Sequence, residues 1–320
     1  MLVLGVECTA HTLGVGVVET KGKKKRVLSN VWDRYKAKPG SGIVPAEAGA
    51  HHTVVAESIK QQALEKAKLT MNDIDLVALS AGPGLPPCLL AGKRFALSLN
   101  KPTVMVNHCI AHIEIGKLDS RFKDPLTVYV SGGNTQVIAF QSGKYRVLGE
   151  TLDIGLGNAL DKLGRDLGFS MLAGPEIENH ASKGTKYIEL PYSVKGMDLT
   201  YSGLLTAAKK LVDKVSKQDL CYSFQETAFA MLVETAERAL AHSAKKEILL
   251  VGGCAANQRL RQMLETMGKP HSARFFVPKN EFNGDNGAMI ALVGALKARP
   301  DKEIDINPRW RTDAVDVTWA

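Results

Sequence analysis

The sequence predicts an α/β protein built of two similar lobes with a cleft between their first turns. Three observations predict it. At 320 residues the chain exceeds what one hydrophobic core usually organises. Apolar, β-branched runs alternate with stretches of helical apolar spacing, the pattern of sheets covered by helices. The opening series of strand, polar turn, strand and strand then recurs in kind and order from residue 126, a weak internal duplication.

In order, residues 2–7 and 12–19 are strands joined by the polar turn Cys8-Thr9-Ala10-His11. Val27 to Trp32 completes a meander. Between the second and third strands, the cluster Lys21-Gly22-Lys23-Lys24-Lys25-Arg26 reads as a solvated hairpin tip. After the loop Pro39-Gly40-Ser41-Gly42, residues 46–68 carry Val54, Val55, Ile59, Ala63, Leu64 and Ala67 at helical spacing. Asp75 to Ser80 is a strand, Ala81 to Pro87 a tight loop and residues 88–99 a helix. Thr103 to Val106 is a short buried strand, followed by a helix that begins at His108 behind the capping residue Asn107.

In the second half, Leu126 to Val130, Thr135 to Phe140 and Lys144 to Leu148 are strands, the first two joined by Ser131-Gly132-Gly133-Asn134. Helices follow at 156–168, 203–215 and 219–243. Glu247 to Val251 is a strand ending on Gly252-Gly253, residues 258–267 a helix and Arg274 to Val277 a strand. The loop Asn283-Gly284-Asp285-Asn286-Gly287 then leads into a last long helix, residues 287–297. The tail from Asn307 to Ala320 shows no clear period.

Composition narrows the class. Hydrophobic content of 45% and charged content of 23% are ordinary for a soluble globular protein. No apolar run is long enough to span a membrane. The start Met1-Leu2-Val3-Leu4-Gly5-Val6-Glu7 has no basic region before its apolar run and reads as a strand, not a signal peptide. Five scattered cysteines without CxxC spacing point to a reducing cytoplasm rather than a disulfide framework. A formal charge of +8 favours a polyanionic partner, nucleic acid first.

Chemistry concentrates where strands hand over to helices. His108 and His112, four apart on a helix, share one face and can grip one ion. Asp285 is the natural carboxylate to complete such a site, and imidazole with carboxylate suits zinc, iron or manganese. Tyr129, in the strand running into the Ser131 turn, offers a phenol. A zinc protease would need a glutamate directly after the first histidine as general base, and that position is Cys109. Three glycine-bearing turns, at Ser131 to Thr135, Gly252 to Asn257 and Asn283 to Gly287, let backbone N–H groups approach phosphate oxygens.

An ordered set of motifs carries a resemblance. They include Leu4-Gly5-Val6-Glu7-Cys8-Thr9-Ala10-His11-Thr12, Gly42-Ile43-Val44-Pro45 with Glu47 and His51-His52, and Asn107-His108 through Glu114. Tyr129 to Thr135, Gly157-Asn158-Ala159-Leu160-Asp161-Lys162, Gly174 to Glu178 and Phe224 to Thr227 follow. Gly252 to Asn257, Asn283 to Gly287 and Pro308-Arg309-Trp310-Arg311 complete the set. The chain resembles the family of the universal tRNA threonylcarbamoyladenosine synthase catalytic subunit in its archaeal and eukaryotic form. That form is the central subunit of the KEOPS complex and is related to bacterial TsaD.

The resemblance implies an actin-like, sugar-kinase-like fold of two ribonuclease-H-like lobes with a nucleotide in the cleft. The lobes would be residues 1–119 and 120–300, with the tail 301–320 packing back on the first. It implies one metal ion, iron or zinc, on His108, His112, Tyr129 and Asp285. It implies a nucleotide side of Tyr129, Val130, Ser131, Gly132 and Gly133, with Asp161, Gly174, Glu178 and Asn257. The ligand would be threonylcarbamoyl-AMP or ATP, with magnesium an additional ion. His11, His108 and His112 form the candidate catalytic set, and His11 could take the amine proton of the acceptor. The implied partners are tRNA, an enzyme that makes threonylcarbamoyl-AMP, a separate kinase-like subunit and small KEOPS subunits, in the cytoplasm and away from membranes. ATPases of this fold usually hold magnesium with aspartates in the two first turns. Glu7 and Ser131 stand there instead, which argues against ATP hydrolysis as the main activity. Around Gly174 the family commonly has paired glycines, and Ala173-Gly174 keeps only the second. The competing readings are a nucleotide-driven chaperone or phosphotransferase, and a zinc protease.

Overall fold

In the computed structural model, which describes residues 1–38, 41–169 and 172–319, two five-stranded sheets share one topology. In the first, β1 (Leu2–Glu7), β2 (Thr12–Lys21) and β3 (Lys24–Arg34) form an antiparallel meander. β4 (Leu76–Gly82) and β5 (Thr103–Asn107) extend it in parallel from β1, in the order β3-β2-β1-β4-β5. The helices α1 (Pro45–Ala67), α2 (Pro86–Ser98) and α3 (His108–Ser120) fill the connections.

The second sheet repeats the plan. β6 (Leu126–Val130), β7 (Thr135–Gln141) and β8 (Lys144–Glu150) are the meander. α4 (Leu156–Asp166), α5 (Gly174–Ala181), the two-stranded ribbon β9 (Val194–Lys195) and β10 (Asp198–Leu199), α6 (Ser202–Lys209) and α7 (Lys217–Ser243) follow. β11 (Glu247–Val251) joins β6 in parallel, and β12 (Arg274–Phe276) joins β11 after the helix α8 (Gln258–Gly268). The order is β12-β11-β6-β7-β8, the order of the first sheet read from its other edge. The duplication read from sequence is therefore a duplication of pairing.

The short helix α9 (Asn280–Asn283) and the last helix α10 (Gly287–Lys297) close the chain's regular structure. α10 is apolar all round, with every residue from Gly287 to Ala295 buried, so it needs cover on every face. Together with α3, buried from His108 to Gly116, it lies in one apolar layer between the two sheets. Val3, Val18 and Val104 reach that layer from the first sheet, and Ile138, Leu249 and Val251 from the second. Small residues set the approach of α10 to the first sheet. A Cβ on Gly5 would fall 2.2 Å from the Gly287 carbonyl oxygen, and one on Gly16 2.4 Å from Ala288 N.

The tail runs along both sheets. Asn307 N donates to Ala81 O at 2.7 Å in the first, and Val317 N to Gly143 O at 3.2 Å in the second. Several expectations shift. The helix expected over 203–215 ends at Lys209, with turns beyond it. The stretch Gly174 to Glu178, read only as a motif, starts α5, with Pro175 in its first turn. The expected loop positions Pro39 and Gly40, and the last tail residue Ala320, lie outside the described residues.

Candidate active site

The first turn of α3 places the histidine pair. The side chain of Asn107 accepts from Cys109 N at 3.0 Å and Ile110 N at 3.2 Å, so the helix starts at His108 as its cap dictates. Asp285 lies just before Asn286, whose side chain caps α10 by accepting from Met289 N at 3.0 Å. Burial of both helices between the sheets thus brings the start of one beside the start of the other. Asp285 Oδ1 lies 3.3 Å from His112 Nε2 and 3.6 Å from His108 Nε2. One ligand atom from each of the three residues falls within 4.8 Å of the others, a spacing that can hold a metal ion.

The outer nitrogen of His108 is held from the first lobe. Glu7 Oε2 is 2.9 Å from His108 Nδ1, and Thr9 Oγ1 is 3.2 Å from the same atom. Glu7 Oε1 accepts from Thr9 N at 2.7 Å and from Thr9 Oγ1 at 2.6 Å. A carboxylate on the far nitrogen fixes the ring's orientation and leaves Nε2 aimed at Asp285. Burial works against charge on His108. The Glu7 and Asp285 carboxylates outweigh it and raise its pKa to about 9. Burial lowers the pKa of His112, and it opposes charge on Asp285, but the two histidines hold that carboxyl well below its usual range. His11, in the turn after β1, is brought to the same place. Burial lowers its pKa, while the charges of Asp285, Arg34 and Glu7 all reach it.

Tyr129 stands at the end of β6 with its ring centroid 5.2 Å from that of His112. Its hydroxyl and the Nδ1 of His112 are buried and have no hydrogen-bond partner among the described residues. A buried unpaired phenol is costly unless something engages it, so this orphan is the observation that tests the site for a metal. With two imidazoles and a carboxylate beside it, the donor set fits one.

Beyond Tyr129 the chain turns at Ser131–Asn134. Ser131 N donates to Asn134 O at 2.8 Å, and the start of α4 packs beneath, with Gly157 N donating to Ser131 O at 3.2 Å. A Cβ on Gly133 would meet nothing within 4 Å, and one on Gly132 would make only an ordinary contact with Asn158. Behind the turn, Gly252 adopts φ +97° and a Cβ there would lie 2.3 Å from Val130 O, so this close crossing requires glycine. Asp161, on α4, accepts from Ala173 N at 2.8 Å, and burial raises its pKa to about 6. Gly174 opens α5 with free space where its Cβ would be. Glu178 and Asn257 meet at the start of α8. Gln258 N donates to Glu178 Oε1 at 2.6 Å and Leu260 N to Asn257 Oδ1 at 3.0 Å.

The nominated residues thus form two neighbouring groups, joined through Tyr129 and the turn that follows it. Sequence reasoning placed Glu7 in the first-lobe turn but missed its partner. Only the pairing of β1 with β4, and of β4 with β5, puts it against α3. Glu114, two residues beyond the second histidine, is turned away, with Tyr145 Oη donating to it at 2.5 Å and Trp319 Nε1 at 3.1 Å. It cannot serve as a protease base.

A family model described as TsaD, tRNA N6-adenosine threonylcarbamoyltransferase, matches residues 26–292. The chain belongs to the TsaD family. It is similar to the tRNA N6-adenosine threonylcarbamoyltransferase of Thermococcus kodakarensis, 52% identical over all of both chains. A probable bifunctional tRNA threonylcarbamoyladenosine biosynthesis protein of Methanocaldococcus jannaschii is 50% identical over all of this chain and 60% of its own. Among solved structures, T. kodakarensis HypF matches with a TM-score of 0.64 and 15% identity, over 91% of this chain and 46% of that one. Component A of the Acidaminococcus fermentans (R)-2-hydroxyglutaryl-CoA dehydratase matches with a TM-score of 0.56 and 14% identity, over 91% and 96%. These distant likenesses agree with the actin-like two-lobe fold expected for the family. No helix among the described residues is long and apolar enough to cross a membrane.

Proposed function

We propose that this TsaD-family chain is the catalytic subunit that transfers a threonylcarbamoyl group from threonylcarbamoyl-AMP to tRNA. The acceptor is the exocyclic amine of the adenosine beside the anticodon in tRNAs reading ANN codons. The observation that carries this reading is Tyr129, whose unpaired hydroxyl stands beside the His108–His112–Asp285 cluster while its strand runs into the open Gly132–Gly133 turn.

In this reading His108, His112, Tyr129 and Asp285 hold iron or zinc, which supplies Lewis-acid polarisation and a template when bound. The backbone N–H groups of Gly132 and Gly133 donate to the phosphate and stabilise its charge as AMP leaves. Asp161 and the open face of Gly174 receive the ribose, with Glu178 and Asn257 shaping the wall at the start of α8. The amine nitrogen attacks the carbamoyl carbon, the new C–N bond forms, and the bond from that carbon to the phosphate oxygen breaks. His11, kept neutral by burial, accepts the proton that the amine loses.

Residues 1–119 and 120–300 act as the two lobes, and the tail, expected to pack back on the first lobe alone, also reaches the second through Val317. The partners are tRNA, a threonylcarbamoyl-AMP-producing enzyme, a kinase-like subunit and small KEOPS subunits. A longer relative is named as bifunctional in tRNA threonylcarbamoyladenosine biosynthesis, which supports a partner that carries a second activity. A cytoplasmic setting accords with the free cysteines, four of them buried.

The test is a reconstitution with tRNA, labelled threonine, ATP, bicarbonate, the adenylate-producing enzyme and the partner subunits. Label enters tRNA only when this chain is present. If none enters with the complete set, the transferase reading fails.

A further inference from the structure

The edge strand β3 ends against the catalytic cluster. Tyr35 N, just past its end, donates to His11 O at 2.8 Å, and Arg34 pairs with Thr12 across the ladder. A Cβ on Gly284, the neighbour of Asp285, would lie 3.4 Å from the Arg34 guanidinium. Trp32 and Arg34 share one face of the strand, the face on which their partners Gly14 and Thr12 lie. The Arg34 guanidinium carbon sits 6.0 Å from the centroid of the Trp32 ring.

Trp32 is 36% exposed, so part of its ring is presented to solvent at the sheet edge. Two further cations, Lys36 and Lys38, are exposed in the segment that follows. Neither they nor Arg34 has an ion-pair partner among the described residues. Asp33, between Trp32 and Arg34, points to the opposite face, where His51 Nε2 holds it at 3.0 Å. The strand therefore sorts its charges. The carboxylate is on one side, and the tryptophan and arginine are on the side beside Asp285.

We infer that Trp32 and Arg34, with Lys36 and Lys38, form an RNA-docking ridge at the mouth of the active site. A nucleobase of the anticodon loop stacks on Trp32 while the cations contact the adjoining phosphates. An unpaired base splayed from its loop is recognised by an aromatic face and a guanidinium plane. Such stacking tolerates any base, because every base has a π-face. The inference rests on the tRNA transferase reading, and it commits to RNA rather than to a protein covering the same tryptophan.

The probe is an unmodified transcript of a tRNA reading an ANN codon, bound to the full chain with its partner subunits and followed by filter binding over a salt series. Trp32→Ala weakens binding by about tenfold or more, and Trp32→Phe restores most of it. Arg34→Gln lowers the slope of log affinity against log salt by about 0.7. ATP affinity stays within about twofold of wild type in each variant, which reports an intact cleft, and Trp32→Phe keeps the test valid if the alanine variant folds poorly. Wild-type transcript affinity in Trp32→Ala and Arg34→Gln overturns the ridge, and so does a loss confined to binding of a protein partner. If the wild type modifies tRNA while these variants keep its KM, the ridge alone fails. If the wild type modifies none, the transferase reading itself fails.

Discussion

Glu7 and His108 stand 101 residues apart in the chain, yet Glu7 Oε2 lies 2.9 Å from His108 Nδ1 in a fully buried contact. Two elements make this pairing: the turn that ends β1 and the cap that starts α3. The same turn in a hydrolytic member of this fold class would carry a magnesium-binding aspartate. Here its carboxylate faces the Nδ1 side of His108, a candidate metal ligand, and is also engaged by Thr9. A group committed to orienting His108 is poorly placed to hold magnesium.

Glu7→Gln keeps the shape and one acceptor but removes the charge. Loss of such an outer partner typically weakens metal binding about 10–100-fold. Competition titration of zinc or iron against a chromophoric chelator measures it. Wild-type affinity in Glu7→Gln would mean that His108 is oriented without its carboxylate.

Tyr129→Phe separates a ligand from a core residue. Without metal the change removes a buried hydroxyl that has no partner among the described residues, so stability holds or rises by about 1 kcal/mol. With metal present the variant gains less from the ion than wild type, because one donor is gone. Thermal unfolding with and without added zinc reads both effects. An unchanged metal-dependent shift excludes the phenol from the site.

Asp161 sets a pH dependence that can be signed. Its folded pKa, about 6, lies above the roughly 3.9 of an unfolded aspartate, because burial disfavours the charged form. Between these values the folded state binds more protons, so stability falls as pH rises from about 4 to about 6 and is level above. After discounting for partial exposure, the charged carboxylate costs about 1 kcal/mol at pH 8. Asp161→Asn recovers about that much, flattens this window in urea unfolding at stepped pH and, under the ribose role proposed for Asp161, loses affinity for the adenylate. An unchanged pH profile removes Asp161 as its source.

The local elements of both lobes were legible in sequence because their signals are local. Asn107 as a cap, the four-residue turn from Cys8 to His11 and the helical period of residues 46–68 each depend on near neighbours. The histidine pair and Asp285 were legible as donor types at strand and loop ends. The partners that tune them were not. Glu7 meets His108, and Arg34 lies beside Gly284, only through sheet order and the burial of α10, contacts with no periodic trace in the chain. α5 escaped for another reason. It is eight residues long, begins Gly174-Pro175 and buries only Ile177 and Ala181, too few positions to show a period.

Two glycines divide the roles of scaffold and site. At Gly16 an added Cβ would lie 2.4 Å from Ala288 N and 2.7 Å from Ala288 Cα, backbone atoms that cannot rotate away. Gly16→Ala must push α10 off the first sheet, and with it the loop that carries Asp285. The expected loss is about 3 kcal/mol or more, seen as a lower thermal midpoint, together with weaker metal binding. At Gly133 the added methyl meets nothing within 4 Å of the protein. Gly133→Ala therefore unfolds within about 0.5 kcal/mol of wild type, as a surface change does. The methyl would occupy the space where a phosphate approaches the backbone, so affinity for ATP or the adenylate falls about tenfold, a loss of about 1.4 kcal/mol. Isothermal titration beside thermal unfolding measures both quantities on each variant. If Gly133→Ala binds nucleotide as wild type does, the turn after Tyr129 is a structural corner and the phosphate lies elsewhere in the cleft.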